Sequence, residues 1–381
     1  MVKKTKTFLF PIIYTFVEFV ATKVGVFFQK KSFDLLLIRM DRIGDWVLFQ
    51  DALKEIKHRY EGQKVLLVCQ KWVIDFVEQD LFFSKIECID ALRFTKNPFY
   101  ALHVLLRISH YSFSDVFSIF HSRTLAADSI IKIVKAKKKI GFPADDYNHY
   151  IKTAQTYDKY YTQLVSTDSS KHVFYQYQDF IRQTINPNYT MQLPTLDLEL
   201  PEVNIESTRY CLFMVGASDI RRSWPTNKFI ELVSLIPDDI DIVLVGHGEA
   251  ERQRCEAIST VHRKNGRILD YCGKFSILKL CSVIKSALFV VCNDSSGAHL
   301  APALKVKTFV IATGAHWGLC VPYDESLCTN PYFPTVVNKE KSCFRCNWNC
   351  PYDLEQGSTK CMGEVSVDEV FEKINHYLYS I

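Results

Sequence analysis

A chain of 381 residues, 48% hydrophobic and 23% charged, is long enough for two domains with separate cores and has the balance of a water-soluble globular protein. Its formal charge of +4 is unevenly spread, because residues 1–31 hold six lysines against a single acid, Glu18, and the remainder is close to neutral. No basic surface extends beyond the N-terminus, which excludes a nucleic-acid binder on charge grounds.

The first predicted element is a helix over residues 8–28, apolar apart from Thr15, Glu18, Thr22, Lys23 and Gly25. Thr15, Glu18, Thr22, Gly25 and Gln29 recur at steps of three and four and form one narrow polar stripe. Such a helix suits contact with a membrane surface, its lysines on anionic headgroups. It would also suit packing on the protein itself. A spanning or cleaved segment is a third reading, against which Pro11, Glu18 and Lys23 count. Residues 1–33 are therefore set apart from the body.

The body alternates strand and helix. Strands are predicted at residues 35–39, 65–69, 114–120 and 139–142, with helices at 47–60 and 125–134. Residues 143–200 are polar and tyrosine-rich, then punctuated by Pro187, Pro194 and Pro201, with a linker near 196–208. Alternation restarts with strands at 210–215, 241–245, 287–292 and 308–312, and helices at 227–236, 249–261, 277–286 and from 300. The last helix falls at 367–379. This predicts an α/β chain of two doubly wound parallel sheets facing a cleft: one domain at 34–200, a second at 208–365, and a C-terminal helix at 366–381.

Four clusters carry candidate chemistry. After the first strand, Arg39-Met40-Asp41-Arg42-Ile43-Gly44-Asp45 lets Gly44 relax the turn and sets Asp45 at the mouth of the sheet, able to accept a proton or merely to cap the next helix. Gly216-Ala217-Ser218 precedes Arg221 and Arg222, whose planar donors match phosphate oxygens but would also suit a solvated loop. Gly246-His247-Gly248 ends another strand, as a border for a base or ribose or as a plain turn. Asn293-Asp294-Ser295-Ser296-Gly297-Ala298-His299 runs from a buried strand into a helix, an arrangement that offers free backbone N–H groups to an anion and that also makes an ordinary capped loop. Separately, Cys343, Cys346, Cys350 and Cys361 have the ligand count of a structural zinc or iron site, with free thiols or disulfides as the alternatives. The other nine cysteines lie scattered, many in apolar runs, and read as buried free thiols of a reducing compartment.

Taken in order, these pieces resemble glycosyltransferase family 9, the lipopolysaccharide heptosyltransferase family. The likeness runs over residues 34–370. It rests on Arg-Met-Asp-Arg-Ile-Gly-Asp, on Phe120-His121-Ser122-Arg123 and Lys138-Lys139-Ile140-Gly141-Phe142, on Gly-Ala-Ser with Arg-Ser-Trp-Pro, and on Cys272-Gly273-Lys274-Phe275-Ser276 leading to Asn-Asp-Ser-Ser-Gly-Ala-His-Leu. The resemblance implies the GT-B fold and an inverting transfer from a nucleotide sugar, ADP-heptose or similar, to a glycolipid or glycan acceptor, with no metal needed for catalysis. It implies Asp45 as the catalytic base, with Arg42, Gly44 and Arg123 near the acceptor or a phosphate. Donor contacts fall to Gly216, Ser218, Arg222, Gly246, Asp294, Ser295, Ser296, Gly297 and His299. It also implies a cytoplasmic protein peripheral on the inner face of the bacterial inner membrane. The main alternative is a nucleotide-sugar-binding or assembly protein without turnover. Two departures stand out: Ser296 holds the family's glycine position, and Thr313-Gly314-Ala315-His316-Trp317-Gly318 replaces the usual Phe-Gly-Pro-Thr.

Overall fold

The apolar runs become the central strands of two parallel sheets. A computed structural model describes the chain except residues 1, 121, 145–153, 263–265, 328–330 and 381 and the side chains of 2–10. In the first sheet β1 (Lys31–Arg39), β2 (Val65–Cys69), β3 (Phe83–Cys88), β4 (Tyr111–Ser118), β5 (Lys138–Gly141) and β6 (Gln163–Leu164) stand in the order β3-β2-β1-β4-β5-β6. The second sheet repeats this pattern. Its strands β7 (Tyr210–Met214), β8 (Asp241–Val245), β9 (Ile268–Asp270), β10 (Val290–Asn293), β11 (Thr308–Ile311) and β12 (Thr335–Val337) run β12-β11-β10-β7-β8-β9. Both are the doubly wound order of a Rossmann fold, with a switch point between the first and fourth strands of each sheet. β1 begins four residues ahead of the predicted strand, because Lys31 to Phe33 pair with Tyr111 to Phe113 of β4 although they are not a buried run.

Two units result, residues 1–169 with 173–191 and residues 170–172 with 192–381. The predicted boundary at 196–208 therefore moves upstream. Residues 192–201 are extended and bind the second unit, Leu196 N donating to Ala303 O at 3.0 Å and Ser282 Oγ to Pro201 O at 2.6 Å. The C-terminal helix Val367–Leu378 is no separate element, since Val367, Val370 and Ile374 are buried in that unit's core.

The N-terminal helix, α1 (Val2–Gly25), belongs to the first unit and packs through Tyr14, Val17, Glu18, Ala21 and Gly25. Glu18 is fully buried and accepts from Ser129 Oγ, Tyr157 OH and Lys132 Nζ, each at 2.6 Å. The polar stripe thus splits: Glu18 and Gly25 turn inward, while Thr15 and Thr22 stay exposed. Gly25 has a packing reason, because a Cβ there would stand 2.7 Å from Ser109 Cβ. Among the described residues no helix is long and apolar enough to cross a membrane.

Candidate active site

In the first unit, β1 delivers residues 39–45 to the switch point beside β4. Arg39 is fully buried and organises that turn. It is ion-paired with Asp41, and its Nη2 donates to Tyr177 OH and to Asp45 O, both at 3.2 Å. Its guanidinium carbon lies 4.0 Å from the Phe49 ring centroid, so an aromatic face offsets part of the cation's lost hydration. Burial pushes the Asp41 carboxyl up to about 7, Arg39 pulling against the rise and Asp45 adding to it.

Asp45 is the third residue of α2 (Ile43–Leu48), which precedes α3 (Gln50–Arg59). The predicted single helix is thus two, parted at Phe49, and Gly44 lies within the first turn of α2 rather than ahead of it. Arg42 is the exposed N-cap, and its N–H donates to Asp45 Oδ2 at a long 3.4 Å. Asp45 therefore does cap its helix, but weakly, and its half-buried carboxylate stays within reach of solvent at the strand mouth.

Arg123 departs from its expected place near the acceptor or a phosphate. It is buried and its donors are used internally: Nε to Asp128 Oδ1 at 2.9 Å, Nη1 to Asp158 Oδ1 at 2.5 Å and Nη2 to Ala154 O at 2.9 Å. The loop after β4 needs this clamp to hold residues 154–158 in place. His121 lies outside the described residues.

In the second unit the β7 and β10 tips meet at the switch point. The two arginines there diverge. Arg221 is taken by the Asp219 carboxylate, with Nη2 2.6 Å from Oδ2, and its guanidinium carbon lies 4.4 Å from the Trp348 ring centroid. Arg222 instead turns to the motif after β10. Its Nη1 is 3.9 Å from Asp294 Oδ1 and its Nη2 donates to Ser218 Oγ at 2.7 Å, while its buried Nε has no partner. A half-exposed cation with spare donors, beside the partly exposed Asp294, Ser295 and Ser296, can take a phosphate oxygen.

The glycines each have a packing reason as well. A Cβ on Gly297 would stand 2.5 Å from Met214 Sδ, so glycine lets the helix Gly297–Ala303 start against β7 and is itself buried. A Cβ on Gly216 would collide with the Glu251 carboxyl at 1.9 Å, and one on Gly246 with the same side chain at 2.8 Å. His299 is likewise buried, with its Nδ1 sharing a 3.0 Å hydrogen bond with Tyr323 OH and the two rings stacked.

Two residues to which the sequence reading gave no role of their own complete this region. Asn293, wholly buried at the end of β10, accepts from Trp224 N at 3.0 Å and donates to Val215 O at 3.0 Å and Gly216 O at 3.1 Å. It ties the β7 loop to the arginine loop, and the signal was a polar residue closing an apolar run. Glu251 fills the space over Gly216 and Gly246, accepting from His247 N at 2.7 Å. Burial pushes its carboxyl up. The paired glycines just upstream were its signal.

Cys343, Cys346, Cys350 and Cys361 all line one small cavity of about 10 Å³ with Phe344, Trp348 and Tyr352. Burial, then the thiols of Cys346 and Cys350, push the Cys343 thiol up. All described cysteines are free, and among the described residues no three ligand side chains stand close enough to grip an ion. The segment braces the arginine loop, since Thr359 N and Oγ1 donate to Arg221 O and Ser358 Oγ to Ser223 O. Of the scattered cysteines, Cys69, Cys211, Cys255, Cys281 and Cys292 are buried as expected. Cys272 and Cys320 are half-buried, Cys88 is exposed on the edge strand β3, and Cys328 is outside the described residues.

With this geometry in view, comparison with known proteins is specific. The profile of glycosyltransferase family 9 (heptosyltransferase) matches residues 121–326. A Campylobacter jejuni protein named lipooligosaccharide heptosyltransferase 2 is 24% identical over 159 residues, 41% of this chain and 47% of that protein, so the match spans about half of that relative's length. Among solved structures, E. coli heptosyltransferase WaaC with ADP-2-deoxy-2-fluoro heptose superposes with a TM-score of 0.64 at 15% identity, over 90% of this chain and 99% of that one. The iron-containing dodecameric glycosyltransferase TibC of enterotoxigenic E. coli superposes at 0.51 and 12% identity, over 93% and 78%. The shared fold is GT-B, two Rossmann-like domains in one chain.

Proposed function

This chain belongs to glycosyltransferase family 9, and on that premise we propose that it moves a heptose or related sugar from a nucleotide-activated donor to a hydroxyl of a lipopolysaccharide or other surface glycan. The observation that carries the reading is the position of its polar groups: a carboxylate at the switch point of the first sheet, and a cation with spare donors at that of the second.

A sugar hydroxyl is a weak nucleophile near neutral pH. Asp45 takes its proton as the oxygen bonds to the anomeric carbon, while the bond from that carbon to the diphosphate breaks on the opposite face, inverting the centre. The departing diphosphate gains charge, which Arg222 and the amides opening the helix at Ser295 to Gly297 neutralise. Ser218 aims Arg222. Those groups do this work in place of a metal.

A structural zinc or iron ion held by Cys343, Cys346, Cys350 and Cys361 belongs to the same reading. Support comes from the four thiols lining one cavity, and an ion there would draw them together and stiffen the arginine loop. TibC, of the same fold, is iron-containing. Metal analysis of the purified chain tests this, with one equivalent of zinc or iron expected and a metal-free, fully folded protein against it.

For the reaction itself, a thermal-shift screen of nucleotide sugars should single out one donor, because a ligand bound by the native state raises the melting temperature by mass action. Mass spectrometry with that donor and a lipopolysaccharide core acceptor should then find glycosylated product. A specific donor that is bound but never consumed would leave a binding protein instead.

A further inference from the structure

α1 buries Tyr14, Val17 and Ala21 against its unit, yet it also leaves a second apolar face open to the outside. A helix at a water-facing surface turns its apolar stripe to the core and its charges outward. Here the one carboxylate of the segment, Glu18, is inside, paired with Lys132 and hydrogen-bonded by Ser129 and Tyr157. Ile12, Phe16, Phe19 and Lys23, which succeed one another at steps of four, three and four, face out. Phe16 is 66% exposed, Phe19 56% and Phe27, just past the helix, 88%. Single exposed apolar residues are ordinary, but three phenylalanines with Ile12, Val24 and Val26 exposed along one short segment are a patch.

Charge identifies what covers it. Lys23, Lys30 and Lys31 are exposed around the patch, and the sequence adds Lys3, Lys4 and Lys6 upstream, with no other acid in residues 1–31. Lys23 Nζ lies 5.6 Å from the Phe19 ring centroid, so the cation rides on the apolar surface. Exposed apolar side chains in a segment whose exposed charges are lysines complement an anionic lipid surface, where rings enter the interfacial layer and ammonium groups meet phosphates. Pro11, the buried Glu18 and Lys23 count against a spanning role for the segment.

We propose that α1 is a membrane-docking helix that lays Ile12, Phe16, Phe19 and Phe27 into the interface of an anionic bilayer, with Lys23, Lys30 and Lys31 among the headgroups. This holds whichever sugar the enzyme transfers. It makes Glu18 a positioning residue, whose inward pairing keeps a carboxylate off the lipid-facing side.

Co-sedimentation of the full chain with vesicles of phosphatidylcholine alone or with phosphatidylglycerol tests it, without any reading of sugar transfer. The wild-type chain should pellet with phosphatidylglycerol vesicles, much less with neutral ones, and should be released by salt. Phe16→Ser with Phe19→Ser, both exposed and so compatible with an unchanged circular dichroism spectrum, should weaken binding about tenfold or more. Lys30→Glu with Lys31→Glu should abolish the preference for phosphatidylglycerol. A wild-type chain that stays in the supernatant would overturn the proposal, as would a Phe16/Phe19 variant that binds undiminished. So would light scattering that finds a lipid-free dimer dissolved by those same substitutions, since the patch would then be a contact between two copies.

Discussion

The two halves share one strand order and differ at the point where that order reverses. The first sheet presents Asp41 and Asp45 around a buried arginine. The second presents Arg222, Ser218 and a helix start, held by a buried asparagine. The same frame thus carries carboxylates at the switch point of one unit and a cation with a helix start at that of the other. Chemistry is set by the few residues after the first and fourth strands of each sheet, not by the sheets. The buried hub differs in kind too. Arg39 is a charge whose removal would strand Asp41, whereas Asn293 is a neutral amide whose removal would strand two carbonyls and an N–H.

That contrast can be broken at either hub or tip. The largest expected effect is on turnover: Asp45→Ala should lower the transfer rate by roughly 10²- to 10⁴-fold, the usual worth of a positioned general base. Initial rates of product formation check it, and near-normal turnover would remove Asp45 from the chemistry. Next comes Asn293→Ala, which leaves Trp224 N, Val215 O and Gly216 O without their partner. At about 1–3 kcal/mol for a buried group left unsatisfied, denaturant unfolding should show a loss of no less than about 2 kcal/mol. A stability equal to wild type would mean the three strands of chain hold without it.

Smaller effects sharpen the donor side. Arg222→Ala should weaken nucleotide binding by roughly 1.5–3 kcal/mol, whereas Arg221→Ala, whose guanidinium is held by Asp219 and Trp348, should change it far less. Equal losses by calorimetry would show that the loop, not one side chain, binds the donor. The smallest effect is a slope. Asp41 has a folded value of about 7, above the unfolded carboxyl, so its contribution to stability is complete below about pH 4 and is lost as pH rises through 7. Asp41→Asn should remove that component from urea unfolding measured across the window, and an unchanged slope would assign it elsewhere.

The central strands were legible because β1, β2, β4, β7, β8, β10 and β11 carry apolar runs that parallel pairing buries. Four strands escaped, β3, β6, β9 and β12, and all four lie at sheet edges. They are short and partly exposed, so their patterns mix polar with apolar residues: Phe83–Cys88 buries only Phe83 and Glu87, and Ile268–Asp270 is half-buried throughout. The helix Val173–Thr184 lay hidden in a tyrosine-rich stretch, although Val173, Phe174, Tyr177, Phe180 and Ile181 keep helical spacing. The unit boundary was illegible because hydrogen bonds made by the segment's backbone, not its composition, attach residues 192–201. At the site, the arginine pair and the Asp-Ser-Ser-Gly turn could be read, but which arginine turns toward Asp294 depends on Asp219 capturing the other. Gly297 also leaves room for Met214, a contact made across the sheet that spacing cannot reveal.

The division of labour between the halves is tested most directly by titrating ADP into Asp45→Ala and Arg222→Ala side by side in a calorimeter. The account predicts that Asp45→Ala binds ADP as the wild-type chain does, while Arg222→Ala binds it about tenfold or more weakly. An Asp45 variant that loses ADP as severely as the Arg222 variant would contradict it.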